Sequence, residues 1–375
     1  MKVIADDKIP FLKGVLESAG VSVEYIPGAE TTAETVRNAD ALITRTRTKC
    51  NQALLAGSQV RFIATATIGF DHIDTEYVEK QNIVWTNAPG CNSGSVAQYM
   101  ASLLLNLAVQ KSFALSDKVL GVVGVGHVGK KVAAVGEALG MKVLLNDPPR
   151  ARAEGKKGFV ELDEIIEQAD IITLHVPLEY NSSDPTYHLA DAALIGRLRP
   201  TQYLINASRG EVVDNVALRE ALKGGKLAGG ALDVWENEPA IDLELMELLD
   251  FATPHIAGYS TDGKANGTGM SVNALAKFFQ LPGGLDKWYP GNVPLPEVTS
   301  LTVMENGSQE EKLAQVVNAS YNIIRDTEAL RNAPDKFEKL RGTYPLRREF
   351  HNFTVKCSDV KLAGILQKLG FNLEK

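Results

Sequence analysis

The chain has 375 residues, 45% of them apolar and 23% charged, enough for two or three globular domains with ordinary cores. A formal charge of -7 gives no general attraction to a nucleic-acid backbone, and no apolar run approaches the ~18 residues of a membrane span. The start, Met1–Asp7, lacks the apolar stretch of a signal peptide, and Cys50, Cys91 and Cys357 are too far apart for a disulfide framework or a metal site, so a reducing cytoplasm is expected.

Short apolar runs alternate with helix-like stretches from the beginning. Lys2–Ala5, Ser22–Ile26, Ala41–Thr44 and Phe62–Thr67 read as strands. The stretches around Phe11–Ala19, Asn51–Ala56 and Thr75–Lys80 read as the helices between them. Such alternation predicts a parallel sheet covered on both faces. After the loop Asn87–Asn92, Ser93 is placed to cap a long helix from Gly94 to about Gln110.

A second series follows. Its strands are Val119–Gly124, Lys142–Asn146, Ile171–Leu174, Tyr203–Asn206, Leu227–Leu232 and Phe251–Thr253. Its helices are Val128–Leu139, Leu162–Gln168, Asp191–Leu198, Val216–Lys223 and Leu243–Leu249. The predicted fold class is therefore α/β, with two doubly wound parallel-sheet domains and a cleft between them. The helix Asp262–Phe279 is expected to return to the first domain. Leu281–Glu297 is rich in Pro and Gly and reads as a linker. The remainder mixes the helices Gln309–Ile324 and Asp359–Lys368 with a strand, Asn352–Lys356. The expected domains are 1–93 with 260–280, then 94–259, then 281–375.

The strand Val119–Val123 runs into Gly124-Val125-Gly126-His127-Val128-Gly129, a Gly-x-Gly-x-x-Gly turn opening a helix. Gly124 permits the tight turn, Gly126 lets the backbone approach a pyrophosphate, and Gly129 lets helix and strand pack closely. The pyrophosphate would meet free N–H groups at the helix N-terminus. Asp147 follows the next strand, where a carboxylate accepts from the adenosine ribose hydroxyls and repels an added phosphate. NAD is favoured over NADP, a preference that Arg150 and Arg152 nearby weaken.

Three polar groups stand at predicted strand ends of the second domain, where open α/β sheets bind ligands. They are Asn206-Ala207-Ser208-Arg209-Gly210, Leu232-Asp233-Val234-Trp235-Glu236-Asn237-Glu238-Pro239 and Thr253-Pro254-His255-Ile256-Ala257-Gly258-Tyr259. Oxidising a 2-hydroxy acid needs a base for the hydroxyl proton, a carboxylate to orient that base, and a guanidinium for the substrate carboxylate. His255, Glu238 and Arg209 take these roles. Glu236 is the rival partner for the histidine, and Arg209 has a structural alternative in pairing with Asp233. His175 is expected near the cofactor, while His72, His188 and His351 read as structural. In the first domain Arg45, Thr46, Arg47 and Lys49 follow a strand. A charge run is more often a solvated face, but opposite a dinucleotide site it suits an anion.

At Val123–Gly129, His175–Leu178, Asn206–Gly210, Leu232–Pro239 and Pro254–Gly258 the chain resembles the D-isomer-specific 2-hydroxyacid dehydrogenases. The resemblance implies a Rossmann NAD domain, a flavodoxin-like substrate domain and a C-terminal α+β dimerisation domain, hence a homodimer. It implies catalysis by Arg209, Glu238 and His255, and a contact of Asp233 with the nicotinamide amide. It places His127, Val128, Val176, Ala207, Ser208 and Gly258 with Gly124, Gly126, Gly129 and Asp147 around NAD. Arg45–Lys49, Ala64–His72, Asp147–Arg150 and His255–Ser260 narrow the likeness to a branch acting on a phosphorylated acid. That branch oxidises 4-phospho-D-erythronate to 2-oxo-3-hydroxy-4-phosphobutanoate in vitamin B6 synthesis, with Arg45, Thr46, Thr67 and Tyr259 at the substrate. Arg347 or Arg348 is a candidate to reach the substrate phosphate of a neighbouring subunit. Two other readings stay open: oxidation of 3-phosphoglycerate, and an NAD-sensing binding protein on the same fold.

Overall fold

The structure, a computed structural model, describes residues 1–374. The chain divides into two compact units, Met1–Asn92 with Ser260–Pro294, and Ser93–Tyr259 with the chain from Leu295 onward. In the first unit β1 (Lys2–Asp6), β2 (Ser22–Ile26), β3 (Ala41–Thr44), β4 (Phe62–Thr65) and β5 (Val84–Thr86) form one parallel sheet in the order 2-1-3-4-5. Every residue of β3 and β4 is buried, as expected for strands with helices on both faces. One face packs on Leu12, Val272 and Leu275, the other on Val36, Leu54 and Val78.

The expected helix over Phe11–Ala19 does not form. Phe11 and Gly14 adopt φ of 64° and 85°, which interrupts a right-handed ladder, and only the 3-10 turn Glu17–Ala19 remains. The helix Thr261–Phe279 is capped by Ser260, whose side chain accepts from the Gly263 N–H at 2.8 Å. The segment read as a linker is partly packed, since Leu285 is buried in the first unit's core beside Leu275.

In the second unit β6 (Val119–Val123), β7 (Lys142–Asn146), β8 (Ile171–Leu174), β9 (Tyr203–Asn206), β10 (Gly229–Leu232) and β11 (Phe251–Ala252) form a parallel sheet in the order 11-10-9-8-6-7. Beyond β7 the Val160 N–H donates to the Leu145 carbonyl at 2.8 Å, the trace of one more strand. The strand order reverses beside β6, so the turn after β6 sits at the switch point.

The tail carries β12 (Ser300–Thr302), β13 (Thr354–Lys356) and β14 (Asn372–Leu373) in a small parallel sheet. The helix expected over Gln309–Ile324 breaks at Tyr321. Asn322 starts a new helix, Ile323–Asn332, by accepting from the Ile324 N–H at 3.0 Å. The expected third domain from 281 also shifts. Residues 281–294 belong to the first unit, and the chain from 295 shares one core with the helix Ser93–Lys111. The cause is the composition of that helix: every residue from Gln98 to Ala108 is buried, so it needs cover on all sides.

Candidate active site

The turn after β6 fits a dinucleotide. Gly124 has φ 86°, and a Cβ there would lie 2.7 Å from the His175 backbone. A Cβ on Gly129 would fall 1.9 Å from the Gly124 carbonyl oxygen, while one on Gly126 would meet nothing within 4 Å. The helix His127–Ala138 begins at Gly126 without any side-chain cap, so its first N–H groups are left for an anion. Asp147 closes the turn, accepting from the Val125 N–H at 2.8 Å and the Arg150 N–H at 3.0 Å. The two arginines that weakened the preference for NAD are engaged: Arg150 with Glu154 at 2.7 Å, and Arg152 with Asp184. His175, at the end of β8, joins this turn. Burial pushes its pKa down to about 3, its Nε2 lies 2.9 Å from Thr173 Oγ1, and its Nδ1 is buried with no hydrogen-bond partner among the described residues.

The pair expected to carry catalysis comes together within the second unit. His255 Nδ1 lies 2.8 Å from Glu238 Oε2 and 3.1 Å from Oε1, which fixes Nδ1 as the protonated nitrogen and leaves Nε2 for a substrate. Glu238 Oε1 also accepts from the Trp235 N–H at 3.0 Å. Burial pushes the Glu238 pKa up, but the hydrogen bond and charge of His255, the Trp235 N–H and Arg341 outweigh it, so the net shift is downward. Glu236, the rival, is committed elsewhere: its carboxylate lies 2.8 Å from His188 Nε2 and accepts from the Asn215 N–H at 2.9 Å.

Asp233 has a part that the sequence did not reveal. Its Oδ1 accepts from Thr253 Oγ1 at 2.7 Å and the Ile256 N–H at 2.8 Å, its Oδ2 from the Ala257 N–H at 2.9 Å. Its backbone carbonyl accepts from the His255 N–H at 2.7 Å. Tyr99 completes the network through Thr253 at 3.0 Å. The buried aspartate thus holds the loop at His255, whose φ of 56° is strained for a non-glycine residue. Desolvation raises its pKa, against these donors and the charge of His255. Arg209 is shaped by Asn206, whose amide donates to the Arg209 carbonyl at 2.7 Å and whose Oδ1 accepts from Ser208 Oγ at 2.7 Å. Gly210 is required beside it, since a Cβ would lie 2.0 Å from the Trp235 carbonyl oxygen.

Val176 packs against the core that holds Val123, Leu174 and Leu204, and Ala207 against the core on Val122, Ile171 and Ile205. Gly258 and Tyr259 end the loop, with the Tyr259 N–H donating to the Ile256 carbonyl at 2.9 Å.

In the first unit Arg45 donates to the Lys8 carbonyl at 3.2 Å and Thr46 is exposed. Lys264, which sequence reasoning missed, lies close enough to Arg45 to feel its charge. Burial first, and Arg45 second, push its pKa down. Its signal was weak because a single lysine on a long helix resembles any solvated position. Thr67 is occupied locally, 2.8 Å from Thr65 Oγ1 and donating to the Gly69 carbonyl at 2.9 Å. Arg347 and Arg348 are buried within their own chain. They are 3% and 6% exposed, and Arg347 donates to Gln98, Ile256 and Ser95 of its own chain.

Residues 101–257 match the family described as D-isomer specific 2-hydroxyacid dehydrogenase, NAD binding domain. The chain is 49% identical to the erythronate-4-phosphate dehydrogenase of Bacteroides fragilis, over 93% of this chain and 97% of that one. It is 42% identical to the enzyme of that name from Cronobacter sakazakii, over 99% and 98%. This chain belongs to the erythronate-4-phosphate dehydrogenase family. That family lies among the NAD-dependent D-2-hydroxyacid dehydrogenases, as the motifs implied, and its cofactor is NAD. A solved D-lactate dehydrogenase from Aquifex aeolicus, complexed with NAD and lactic acid, is 29% identical with a TM-score of 0.62, covering 75% of this chain and 96% of that one. An NAD-bound 3-phosphoglycerate dehydrogenase of Entamoeba histolytica is 27% identical with a TM-score of 0.64, covering 75% and 95%. Residues 293–370 match a domain of unknown function (DUF3410). Among the described residues no helix is long and apolar enough to cross a membrane.

Proposed function

We propose that this chain oxidises 4-phospho-D-erythronate to 2-oxo-3-hydroxy-4-phosphobutanoate with NAD, in the synthesis of pyridoxal phosphate. The observation that carries the reading is the His255–Glu238 pair at 2.8 Å, in a chain 39–49% identical over nearly its whole length to enzymes of that name.

NAD, when bound at the glycine turn, supplies the acceptor for the hydride from C2. His255 Nε2 takes the proton of the C2 hydroxyl as the C2 oxygen becomes a carbonyl. Glu238 keeps the ring in the tautomer that can do so and stabilises the imidazolium formed. Arg209 holds the substrate carboxylate with its planar fork. Gly124, Gly126, Gly129, His127, Val128, Asp147, Val176, Ala207, Ser208, Asp233 and Gly258 are assigned to the cofactor, Asp233 through the loop it fixes as much as through any contact of its own. Arg45, Thr46, Thr67 and Tyr259 are assigned to the substrate, and Lys264 beside Arg45 is added for the phosphate.

The reading includes a cytoplasmic homodimer. Leu295, Val298, Leu346 and Val360 support the dimer, since the tail leaves them 61%, 61%, 46% and 87% exposed. Light scattering on the purified chain checks it, with the mass of two chains expected.

The test of function is NADH formation with 4-phospho-D-erythronate and, separately, 3-phosphoglycerate, each with and without a 2-oxo acid acceptor. The four-carbon acid is expected to turn over with the higher kcat/KM. His255→Gln is expected to lower that rate by at least ~10²-fold. A preference for 3-phosphoglycerate moves the chain to the other open substrate. NAD binding without turnover of either acid makes it a sensor.

A further inference from the structure

The helix Phe337–Gly342 lies in the segment that matches a domain of unknown function, and it brings Arg341 to the catalytic pair within the second unit. Arg341 Nη1 is 3.9 Å from Glu238 Oε2, the oxygen that lies 2.8 Å from His255 Nδ1. The guanidinium carbon stands 5.9 Å from the ring centres of both Tyr259 and Phe337, and Nη1 lies 3.3 Å from Glu338 Oε1. Arg341 Nε is buried with no hydrogen-bond partner among the described residues. A guanidinium kept in such a place at the cost of an unmade bond needs a reason beyond packing.

The same tail grips the other side of the catalytic loop. Arg347 donates from Nη1 to the Ile256 carbonyl at 3.2 Å, from Nη2 to the Ser95 carbonyl at 2.6 Å and from Nε to Gln98 at 2.8 Å, and stacks 3.7 Å over Tyr321. One arginine of the tail thus meets the glutamate and another meets the residue after the histidine. The two contacts flank the loop that carries His255.

We propose that Arg341 is a positioning residue of the proton relay: its charge offsets that of Glu238, so that the His255–Glu238 pair releases its proton more readily than an uncompensated histidine–glutamate pair. The inference rests on the dehydrogenase reading above. The charged and titratable groups that face the pair are Asp233, Tyr259, Arg341 and, through Arg341, Glu338, with Arg347 on the far side of the loop. Two carboxylates, Asp233 and Glu238, favour the imidazolium. Left alone they would hold the proton on His255 to a higher pH, and the base needed for hydroxyl deprotonation would be scarce. A cation beside Glu238 works against this. Glu238 itself stays ionised partly through Arg341, so the histidine remains oriented.

The experiment compares the unmodified chain with Arg341→Met and Arg341→Lys. The pH dependence of kcat/KM for 4-phospho-D-erythronate is measured for each. In parallel, the His255 ring resonances are followed through a pH titration by NMR, assigned with His255→Gln. Arg341→Met is expected to move the acid limb of the profile, and the midpoint of the pair's titration, upward by about 1 pH unit, or about tenfold in proton affinity. Arg341→Lys is expected to return most of that shift, because it restores the charge. A limb and midpoint that stay in place in Arg341→Met overturn the proposal, as does a rate lowered equally at every pH, which is what a merely structural arginine would give. Should Arg341→Met not fold, Arg341→Gln replaces it with the same two outcomes. If the unmodified chain does not turn over the substrate, the dehydrogenase reading fails. The NMR titration then still decides the effect of Arg341 by itself.

Discussion

At the scale of single residues, the two histidines of the second unit's strand ends are held in opposite ways. His255 has a carboxylate on one nitrogen and is poised to carry a proton. His175 has a hydroxyl on one nitrogen and, among the described residues, no partner on the other, and burial keeps it neutral. The consequence for stability has a definite sign. The folded chain holds His175 near pKa 3, whereas the ordinary histidine value is 6.5. Between these values the unfolded chain binds a proton that the folded chain refuses, so acidification through that window favours unfolding. One such group contributes a slope of at most about 1.4 kcal/mol per pH unit. His175→Asn is expected to remove that part of the slope between pH 6.5 and 4, even if it lowers stability at pH 7. Urea midpoints at several pH values check it, and equal slopes in the two proteins would show that His175 is not the proton-linked group.

The residues also show what could be read from sequence and what could not. The pairing of His255 with Glu238 was legible because each follows an apolar run that can only be a buried strand, and ligands gather at strand ends. The choice between Glu236 and Glu238 rested on the motif. The structure explains it physically: Glu236 is spent on His188 and the Asn215 N–H. The part of Asp233 as the keystone of the His255 loop was hidden, since its donors are backbone N–H groups that leave no mark in a sequence. Lys264 and Arg341 were hidden for another reason. Each is distant in sequence from the residue it serves, and one basic residue on a helix carries no signal of its partner.

At the scale of elements, the turn from β6 into the helix His127–Ala138 separates two uses of glycine. Gly129 is needed by the fold, because its Cβ would overlap the Gly124 carbonyl oxygen at 1.9 Å. Gly126 faces open space, and only an incoming ligand needs it bare. Gly129→Ala is therefore expected to destabilise the unit by about 1–3 kcal/mol or more, as overpacking does. Gly126→Ala is expected to leave the thermal midpoint nearly unchanged while weakening NAD binding at least tenfold. Calorimetric titration with NAD beside thermal melts distinguishes the two. Unaltered affinity in Gly126→Ala would show that the pyrophosphate does not approach there. The strands of this sheet were readable from periodicity, and β8 and β9 begin and end where the apolar runs do. Elements set by backbone angles were not. The failed helix at Phe11–Ala19 turns on left-handed Phe11 and Gly14, and the break at Tyr321 turns on one asparagine cap. β5 and β12 have three residues each, too few for a pattern.

At the scale of the whole molecule, the helix Ser93–Lys111 decides where the tail belongs. Its buried face includes polar residues that bond to the tail: Asn106 and Asn318 exchange hydrogen bonds at 2.8 and 2.9 Å, and Ser102 donates to Asn318 at 3.0 Å. The Ser102 hydroxyl in turn accepts from the Ile323 N–H at 3.2 Å. Leu313, Val316 and Val317 fill the same core as Leu103 and Leu107. Removing the tail would leave several leucines and valines of this core facing water at once, an apolar patch larger than a soluble surface carries. A chain ended after Pro294 is thus expected to aggregate or to lose cooperative unfolding. It should not behave as a stable enzyme that lacks only a dimer contact. Asn106→Leu in the full chain is the milder probe. It strands the Asn318 amide against an apolar group, and about 1–3 kcal/mol of destabilisation is expected. Differential scanning calorimetry on both reads the outcome. A soluble, cooperatively melting truncation would mean that the tail is an appendage, and that Arg341 reaches Glu238 from a module the second unit can do without.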